Sequence, residues 1–360
     1  MHRNDLDDIP VRRTGEPRSR PADDALRFGS TFTDHMFLMD YEDARGWHQP
    51  RVEPYQALKL DPAAAVLHYG QEVFDGLKAF RGRDGRVRVF RAAAHAERLV
   101  RSCERLCIPP PHAALVARSF EALLRVDGDW VPASPGTALY LRPTIIATEP
   151  FIGVRPATAF LYYVIATPAG SYFDGGMSPL KIWVDTEHVR AVAGGLGAAK
   201  TSANYAASFL AAEEARRRGY AQVLWLDGVE RRYLDEVGTM NIMVRIGEEV
   251  LTPPLNGAIL PGVTRDAALT LLRDWGIAVR ERRISFEEVL QASRDGSLRE
   301  IWGTGTAAVV LPVGELGWRE GGVVVNGGHP GELTERLYRA ITGIQYGDLP
   351  DAHGWMTRVD

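Results

Sequence analysis

Small residues surround a single lysine in the sequence GGLGAAKTSANY, which spans residues 194–205. Lysine is rare in this chain: it occurs only at Lys59, Lys78, Lys181 and Lys200, among 42 lysines and arginines. Glycine and alanine leave room for a bulky group beside the Lys200 amine. In a close-packed, partly apolar site, such an amine has a lowered pKa and becomes a nucleophile toward carbonyl groups. The alternative is a flexible glycine loop that carries a surface lysine.

Three segments that follow this lysine contain groups that could bind a charged ligand. LDEVGTMN, residues 234–241, places Glu236 between two predicted strands, where a carboxylate can keep a heteroaromatic nitrogen protonated. PPLNGAILPGVTR, residues 253–265, is a glycine turn before a predicted helix, whose first N–H groups favour an anion. GTGTAA, residues 303–308, is a strand–turn–strand with hydroxyl groups and a second possible anion site.

Each of these segments taken alone is more often an ordinary turn. The combination is more specific, because one amine, one carboxylate and two anion sites match the chemical groups of pyridoxal 5′-phosphate (PLP). The amine suits its aldehyde, the carboxylate its ring nitrogen, and the anion sites its phosphate. We therefore expect PLP as the cofactor.

Composition is that of an ordinary globular protein, with 360 residues, 45% hydrophobic and 24% charged, and a net charge of −4. A mildly acidic chain does not indicate binding to nucleic acid or to an anionic membrane. Two cysteines exclude a disulfide-rich scaffold, and we find neither a signal peptide nor an apolar run long enough to span a membrane. P-loop, zinc-peptidase and α/β-hydrolase motifs are absent. We expect a cytoplasmic protein that binds small molecules and no metal.

The chain is predicted to form two domains of mixed α/β or α+β structure. Residues 1–25 are polar and contain three prolines, which predicts a flexible arm. Strands and helices then alternate irregularly, which argues against a doubly wound sheet. Helix- and strand-breaking residues at 168–180 predict a linker or lid. It would separate a smaller domain, 26–167, from a larger cofactor-binding domain, 181–360.

Hydrophobic periodicity and turn residues predict the individual elements. Helices are predicted at 92–106, 112–126, 205–218, 266–275 and 334–344, and strands at 87–90, 138–146, 159–166, 181–184, 221–226 and 240–246. Ser285, followed three residues later by Glu288, is typical of a capping box before a further helix.

These segments, in this order, resemble the branched-chain amino acid aminotransferases, which are PLP enzymes of fold type IV. The resemblance extends from residue 28 to residue 347. Further collinear motifs contribute to it: FTDHMF at 32–37, LHYG at 67–70, FDGLKAF at 74–80, LYLRP at 139–143, QVLWL at 222–226 and IQYG at 344–347. It implies the two-domain fold of the D-amino acid aminotransferase-like proteins, with the cofactor between the domains, and a homodimer.

The resemblance implies how the chain would bind PLP. Lys200 would form the Schiff base and carry the proton between substrate and cofactor. Glu236 would pair with the ring nitrogen, and Tyr205 would hydrogen-bond the phenolate oxygen. The other implied contacts, with the phosphate and the ring, are those of Arg98, Thr239, Val263, Thr264 and Thr306.

The resemblance also implies the reaction, which is transamination of L-leucine, L-isoleucine and L-valine with 2-oxoglutarate, giving branched 2-oxo acids and L-glutamate. The implied substrate contacts are Tyr69, Phe74 and Tyr140 for the apolar side chain, Thr306 and Ala307 for the α-carboxylate, Arg142 for the distal carboxylate, and Tyr172 as a lid.

Two departures from the family pattern occur near these positions. Residues 201–203, Thr-Ser-Ala, stand where a Gly-Gly pair is usual, and Asp75 replaces a usual glutamate. The first departure leaves open a specialised aminotransferase for another apolar amino acid in secondary metabolism. A D-amino acid aminotransferase or an aminodeoxychorismate lyase is a second alternative, against which the chain length and the pair Tyr140 and Arg142 argue. A third is an inactive paralogue that serves as a binding subunit, against which the intact lysine argues.

Overall fold

The computed structural model describes residues 9–171 and 177–359. In chain order the strands are β1 (His35–Glu42), β2 (Gly46–Pro54), β3 (Glu72–Phe74), β4 (Leu77–Arg81), β5 (Val87–Phe90), β6 (Ala138–Ala147), β7 (Ala159–Ala169), β8 (Leu180–Asp185), β9 (Gln222–Leu226), β10 (Leu234–Val237), β11 (Met240–Ile246), β12 (Glu249–Thr252), β13 (Ala278–Glu281), β14 (Leu298–Gly305), β15 (Val309–Trp318), β16 (Gly321–Val324) and β17 (Met356–Val359). The α-helices are α1 (Ala65–Tyr69), α2 (Ala92–Arg105), α3 (Ala113–Asp127), α4 (Ser202–Ala206), α5 (Phe209–Arg217), α6 (Val263–Asp274), α7 (Phe286–Arg294) and α8 (Glu332–Tyr346).

The chain divides into two compact units at Ser171, which lies inside the segment predicted as a linker. Two short segments from later in the sequence belong to unit 1 rather than to unit 2: Ala199–Ser202 and Gly343–Asp360. The sequence did not predict that these segments belong to unit 1. The C-terminal segment belongs to unit 1 because β17 pairs with β5 there, a contact between residues far apart in the chain.

Unit 1 is built on an antiparallel sheet with the order β17-β5-β4-β6-β7-β1-β2, and β3 pairs with β6. Strand β6 alternates between two faces, as side chains of a strand must. Leu139 and Leu141 enter the core that α2 and α3 complete through residues such as Leu99 and Phe120. The opposite face of β6 therefore carries the intervening residues, including Tyr140.

Unit 2 is built on a mixed sheet with the order β10-β9-β8-β15-β14-β11-β12-β13. Because β10 pairs with β11 as well as with β9, six of these strands form a closed ring. Closure fills the interior with apolar side chains such as Ile182, Leu224 and Ile242. In the described part of the chain, no helix is long and apolar enough to cross a membrane.

The predicted elements are largely confirmed, including the helices α2, α3 and α6 and the strands β5, β6 and β9. The capping box is also confirmed, since Ser285 Oγ accepts the Glu288 N–H at 3.0 Å. The single helix predicted at 205–218 is instead two, α4 and α5. The Ser208 hydroxyl donates to the carbonyl of Tyr205 at 2.7 Å, so a side chain takes up a carbonyl group at the end of α4.

The flexible arm at residues 1–25 stays a prediction; from residue 9 onward, where the structure describes this segment, it makes hydrogen bonds with unit 1. Val52 N–H donates to the carbonyl of Pro10 at 2.8 Å. Thr14 N–H donates to His35 Nε2 at 2.9 Å. Strand β2 is the edge of the sheet, and its free backbone groups give the arm hydrogen-bonding partners that composition alone does not reveal.

Candidate active site

Lys200 is held in unit 1 by its backbone. Its carbonyl accepts the N–H of Phe74 at 3.0 Å, and its own N–H donates to Ser102 Oγ at 3.0 Å. Its Nζ lies 5.0 Å from the centre of the Phe74 ring. The lysine is therefore fixed between β3 and α2, a position that the glycine-rich sequence around it does not predict.

Burial and, to a smaller extent, the positive charge of Arg98 lower the pKa of Lys200 to about 8. The negative charge of Asp75 acts in the opposite direction. An amine with this pKa is more often neutral and nucleophilic at neutral pH than an ordinary lysine. This agrees with the expectation from the sequence and argues against a solvated loop lysine.

Arg98 lies on the buried face of α2 and is 4% exposed. Its Nε and Nη2 donate to the two oxygens of Asp75 at 2.8 and 2.7 Å. His95 Nδ1 lies 2.8 Å from the same carboxylate. Burial alone would raise the pKa of Asp75, but the charges of Arg98 and His95 hold it well below its usual range. His95 was not predicted as a site residue; the signal in the sequence was two basic residues three apart on the predominantly apolar face of the helix.

Arg142 and Tyr140 form a second polar group on the face of β6 away from the core. Arg142 Nη2 donates to Tyr140 Oη at 3.1 Å, and the guanidinium lies 4.7 Å from the centre of the Phe74 ring. Arg142 Nε is buried without a hydrogen-bond partner among the described residues. Gly76 permits this arrangement, because a Cβ there would overlap the Tyr140 hydroxyl.

Lys78 adds a further positive charge to this face. It lies on β4 directly opposite Tyr140 in the register, and burial lowers its pKa to about 8. The positive charges of Arg98 and Arg142 also act on Lys200, as does the negative charge of Asp75, so basic side chains outnumber acidic ones in this electrostatic group. Such an excess of positive charge suits an anionic ligand.

Two residues from the implied substrate set do not join this group. Tyr69, at the end of α1, is 46% exposed and donates its hydroxyl hydrogen bond to the carbonyl of Ile152. Tyr172 lies outside the described residues. The structure thus brings Phe74, Tyr140 and Arg142 together with Lys200 and places Tyr69 elsewhere in unit 1.

In unit 2, Glu236 is 3% exposed and lies on β10. Its Oε1 accepts a hydrogen bond from Asn241 Nδ2 at 3.0 Å, and its Oε2 lies 2.8 Å from Arg190 Nε. Asn241 also donates to the carbonyl of Leu260 at 2.9 Å. Neither partner was predicted from the sequence. Asn241 lies in the segment 234–241 that contains Glu236, whereas nothing in the sequence marks Arg190.

The N-terminus of α6 lies beside this carboxylate. Its capping residue, Gly262, contributes no side-chain hydrogen bond, so the first N–H groups of the helix are uncapped among the described residues. A Cβ at Gly262 would overlap the side chain of Asn241, so only glycine permits this approach. Val263 and Thr264 follow and are both buried. Asn241 thus contacts both Glu236 and the residues that lead into α6, the helix whose N-terminus the sequence predicts as an anion site.

The second predicted anion site is the turn after β14. Thr304 lies opposite Asn241 in the register, and its Oγ1 is buried without a hydrogen-bond partner in the described ranges. Thr306 is half-buried and Ala307 is exposed. Thr304 was not among the residues implied by the resemblance, although it precedes Thr306 in the same motif.

The two remaining residues of the implied cofactor set also belong to unit 2. Thr239 is exposed in the turn between β10 and β11. Tyr205 lies on α4 and is half-buried, and its neighbour Asn204 donates to the carbonyl of Leu196 at 2.8 Å. Unit 2 therefore offers a buried carboxylate, an uncapped helix N-terminus and hydroxyl groups, a donor set suited to an anion and a protonated heteroaromatic ring.

Comparison with known proteins identifies the family. The model of the amino-transferase class IV family matches residues 72–316, so the chain belongs to this class. It is 50% identical over 351 residues to branched-chain-amino-acid aminotransferase 2 of Bacillus subtilis, covering 98% of this chain and 97% of that protein. It is also 50% identical over 352 residues to the branched-chain-amino-acid aminotransferase of Mycobacterium tuberculosis, covering 94% and 96%.

The fold agrees with these relatives. The crystal structure of the Escherichia coli branched-chain amino acid aminotransferase matches with a TM-score of 0.76 and 26% identity, covering 91% of this chain and 99% of that one. The chain is thus a member of the branched-chain amino acid aminotransferase family, with the fold type IV architecture that the resemblance implies. None of these comparisons supports the specialised aminotransferase considered above.

Proposed function

We propose that this protein is a PLP-dependent aminotransferase that exchanges the amino group between L-leucine, L-isoleucine or L-valine and 2-oxoglutarate. Family membership over nearly the whole chain supports this proposal. The single structural observation that carries it is Lys200, whose buried amine has a pKa of about 8 and is surrounded by basic and aromatic side chains.

The residues present fit PLP. Lys200 suits the aldehyde, and the buried Glu236 suits a protonated ring nitrogen. The uncapped start of α6 at Val263 and Thr264 suits the phosphate, as does the guanidinium of Arg98. When bound, the cofactor supplies an electron sink for the carbanion formed at the amino acid Cα. By resemblance, Tyr205, Thr239 and Thr306 complete its contacts.

The protein's own groups then hold the substrate and move the proton. The neutral Lys200 amine takes the proton from Cα of the amino donor. In the reverse half of the exchange it delivers a proton to Cα of the product amino acid. Phe74 and Tyr140 provide apolar contacts for a branched side chain. Arg142 and the Tyr140 hydroxyl, 3.1 Å apart, provide paired donors for the distal carboxylate of glutamate or 2-oxoglutarate. The substrate roles of Tyr69, Tyr172 and Ala307 rest on the resemblance alone.

We further propose that the protein is a homodimer located in the cytoplasm. Exposed apolar residues cluster in two neighbouring segments of unit 1, at the end of α1 and after β6. They are Leu67, Tyr69, Phe151, Ile152 and Val154. The Tyr69 hydroxyl joins these segments through the carbonyl of Ile152. A contiguous apolar surface of this kind is typical of a subunit interface. The two free cysteines are consistent with a reducing compartment.

The test is a steady-state assay of glutamate formation from 2-oxoglutarate with L-leucine, L-isoleucine or L-valine as amino donor. L-Aspartate serves as a comparison donor that lacks the branched side chain. We expect activity with the three branched donors and little with aspartate. Lys200→Ala removes the proton-transfer group and is expected to lower kcat by at least about 10²–10⁴-fold. Unchanged kcat in Lys200→Ala, or preference for aspartate, would contradict the proposal.

A further inference from the structure

Arg190 lies against the carboxylate of Glu236, to which the proposed function assigns the cofactor's ring nitrogen. Its Nε is 2.8 Å from Glu236 Oε2, and its side chain is 10% exposed. The N–H does not point at the oxygen, so this is a contact of opposite charges rather than an aligned hydrogen bond. Nη2 of the same guanidinium donates to the carbonyl of Ala258. A permanent positive charge is therefore fixed beside a buried carboxylate.

The loop that carries Arg190 is held closely in unit 2. It leaves β8 in a tight turn, in which Asp185 Oδ1 accepts two successive backbone N–H groups at 2.7 and 2.8 Å. Farther along, Gly197 packs so closely on Ala258 that a Cβ would overlap its carbonyl. The guanidinium and the loop that bears it thus contact the same residue, Ala258, and the position of Arg190 is defined from two sides.

The environment explains why a cation is needed there. Desolvation favours the protonated, neutral form of a carboxyl group, whereas an adjacent positive charge favours the ionised form. Asp235, the residue next to Glu236 on β10, is 5% exposed, and burial raises its pKa to about 6 although the charge of Arg190 acts in the opposite direction. Asn241 gives Glu236 a hydrogen bond but no charge. Arg190, 2.8 Å from Glu236 Oε2, supplies a positive charge that offsets desolvation at Glu236.

We infer that Arg190 is a positioning residue that keeps Glu236 weakly basic, so that the proton shared with the cofactor stays on the ring nitrogen. This inference rests on the proposed function. Without Arg190, the carboxylate gains basicity and withdraws the proton, which leaves a neutral ring that is a poorer electron sink. Arg190 thereby contributes to catalysis through Glu236 and without contact with the substrate.

The test uses the protein reconstituted with PLP labelled with ¹⁵N in the ring, because the NMR shift of this nitrogen reports whether it is protonated. The unaltered protein is expected to give the pyridinium shift. Arg190→Gln is expected to move the ¹⁵N shift toward the value of neutral pyridine. It is also expected to lower kcat with L-leucine by about 10–100-fold, as is usual when a residue that orients a ligating side chain is lost. Arg190→Lys retains the charge and is expected to restore most of the pyridinium shift.

A matched control distinguishes the effect of removing the charge beside Glu236 from a general destabilisation of the fold. Arg245→Gln removes a guanidinium that lies 3.0 Å from another buried glutamate of unit 2, Glu300, and is expected to leave the ¹⁵N shift unchanged. An equal shift in Arg245→Gln and Arg190→Gln would overturn the inference. So would a pyridinium shift that persists in Arg190→Gln.

A second variant distinguishes this inference from the proposed function on which it rests. Glu236→Gln removes the carboxylate and is expected to abolish the pyridinium shift whether or not Arg190 acts on it. If Glu236→Gln abolishes the shift and Arg190→Gln does not, only the inference about Arg190 is wrong. If Glu236→Gln itself leaves the ring protonated, the role proposed for Glu236 is wrong, and the inference is overturned with it.

Discussion

At the residue scale, the chemistry of this protein depends on charges that are placed where water is scarce. Lys200 and Lys78 both have a pKa lowered to about 8 by burial, and Asp75 remains ionised because Arg98 and His95 contact it. Each of these pKa shifts is caused either by a neighbouring charged residue or by desolvation. Single substitutions are therefore expected to change protonation as well as packing.

The first prediction concerns the titration of Lys200. Because burial and Arg98 disfavour the ammonium form, the amine is charged below about pH 8 and neutral above it. In the cofactor-free protein, we expect acylation of Lys200, followed by peptide mass spectrometry, to rise to a plateau with a midpoint near pH 8. Arg98→Gln is expected to move the midpoint upward, since it removes a cation. The exposed Lys59 gives an internal check on the reagent. A midpoint near the ordinary lysine value of about 10.4 would be evidence against this.

The second prediction concerns Gly76. A methyl group at this position would overlap the Tyr140 hydroxyl, which accepts a hydrogen bond from Arg142. Gly76→Ala is expected to displace Tyr140 and raise KM for 2-oxoglutarate by about tenfold, the loss of one hydrogen bond to a charged group. KM for L-leucine should change less, since its side chain makes only apolar contacts. The matched control is Gly128→Ala at the end of α3, where φ is −55° and a Cβ meets nothing within 4 Å. Equal effects on both KM values in Gly76→Ala would refute this explanation.

At the element scale, β10 shows how one strand gives two neighbouring carboxyl groups different environments. Glu236 contacts Arg190 and Asn241 directly, whereas at Asp235 burial outweighs the charge of Arg190 and raises the pKa to about 6. A raised pKa in the folded state means that Asp235 stabilises the fold while it is protonated. That contribution is lost as the pH rises through about 6.

The third prediction follows from this linkage. Asp235→Asn removes a carboxyl group that is costly to ionise, so we expect the variant to be more stable than the unaltered protein at pH 8. The gain is on the order of 1–3 kcal/mol, and it should shrink toward pH 4. Thermal unfolding at both pH values measures it, with the exposed Asp24→Asn as the control for the chemical change. A Tm difference that is the same at both pH values would show that Asp235 does not titrate in this way.

The fourth prediction concerns the N-terminal arm. Deletion of residues 1–21 removes the backbone hydrogen bonds to Val52 and the Thr14 N–H that donates to the buried His35. We expect a loss of about 1–3 kcal/mol of stability, the cost of leaving buried polar groups unsatisfied. Deletion of residues 1–8 alone is the comparison and should have a smaller effect on Tm. Equal effects of the two deletions would show that the contacts at residues 9–21 do not stabilise unit 1.

At the scale of the whole molecule, the sequence predicts what depends on local pattern and misses what depends on distant pairing. The helix α2 and the strand β6 follow from periodicity, and Lys200 is evident because lysine is rare. The placement of Ala199–Ser202 in unit 1 rests on hydrogen bonds to residues about a hundred positions away, and no local pattern encodes it. Arg190 is one arginine among many, and only the fold places it beside Glu236.

The fifth prediction concerns assembly. If the apolar residues after β6 form a subunit interface, a charge there should dissociate the dimer. Ile152→Asp together with Val154→Asp is expected to convert a species of twice the chain mass of 39.7 kDa into one of a single chain mass, by light scattering after gel filtration. Val229→Asp, at an 82% exposed valine of unit 2, is the matched control and should remain dimeric. A dimer that survives both substitutions would place the interface elsewhere.

The most direct test of the central claim is a single half-reaction followed by absorbance. The purified protein with bound PLP is mixed with L-leucine in the absence of 2-oxoglutarate, and 2-oxoglutarate is added afterwards. We predict that the visible band of the bound cofactor disappears, that one equivalent of branched 2-oxo acid is released, and that 2-oxoglutarate restores the band. A band that L-leucine, L-isoleucine and L-valine all leave unchanged would contradict the assignment of this protein as a branched-chain amino acid aminotransferase.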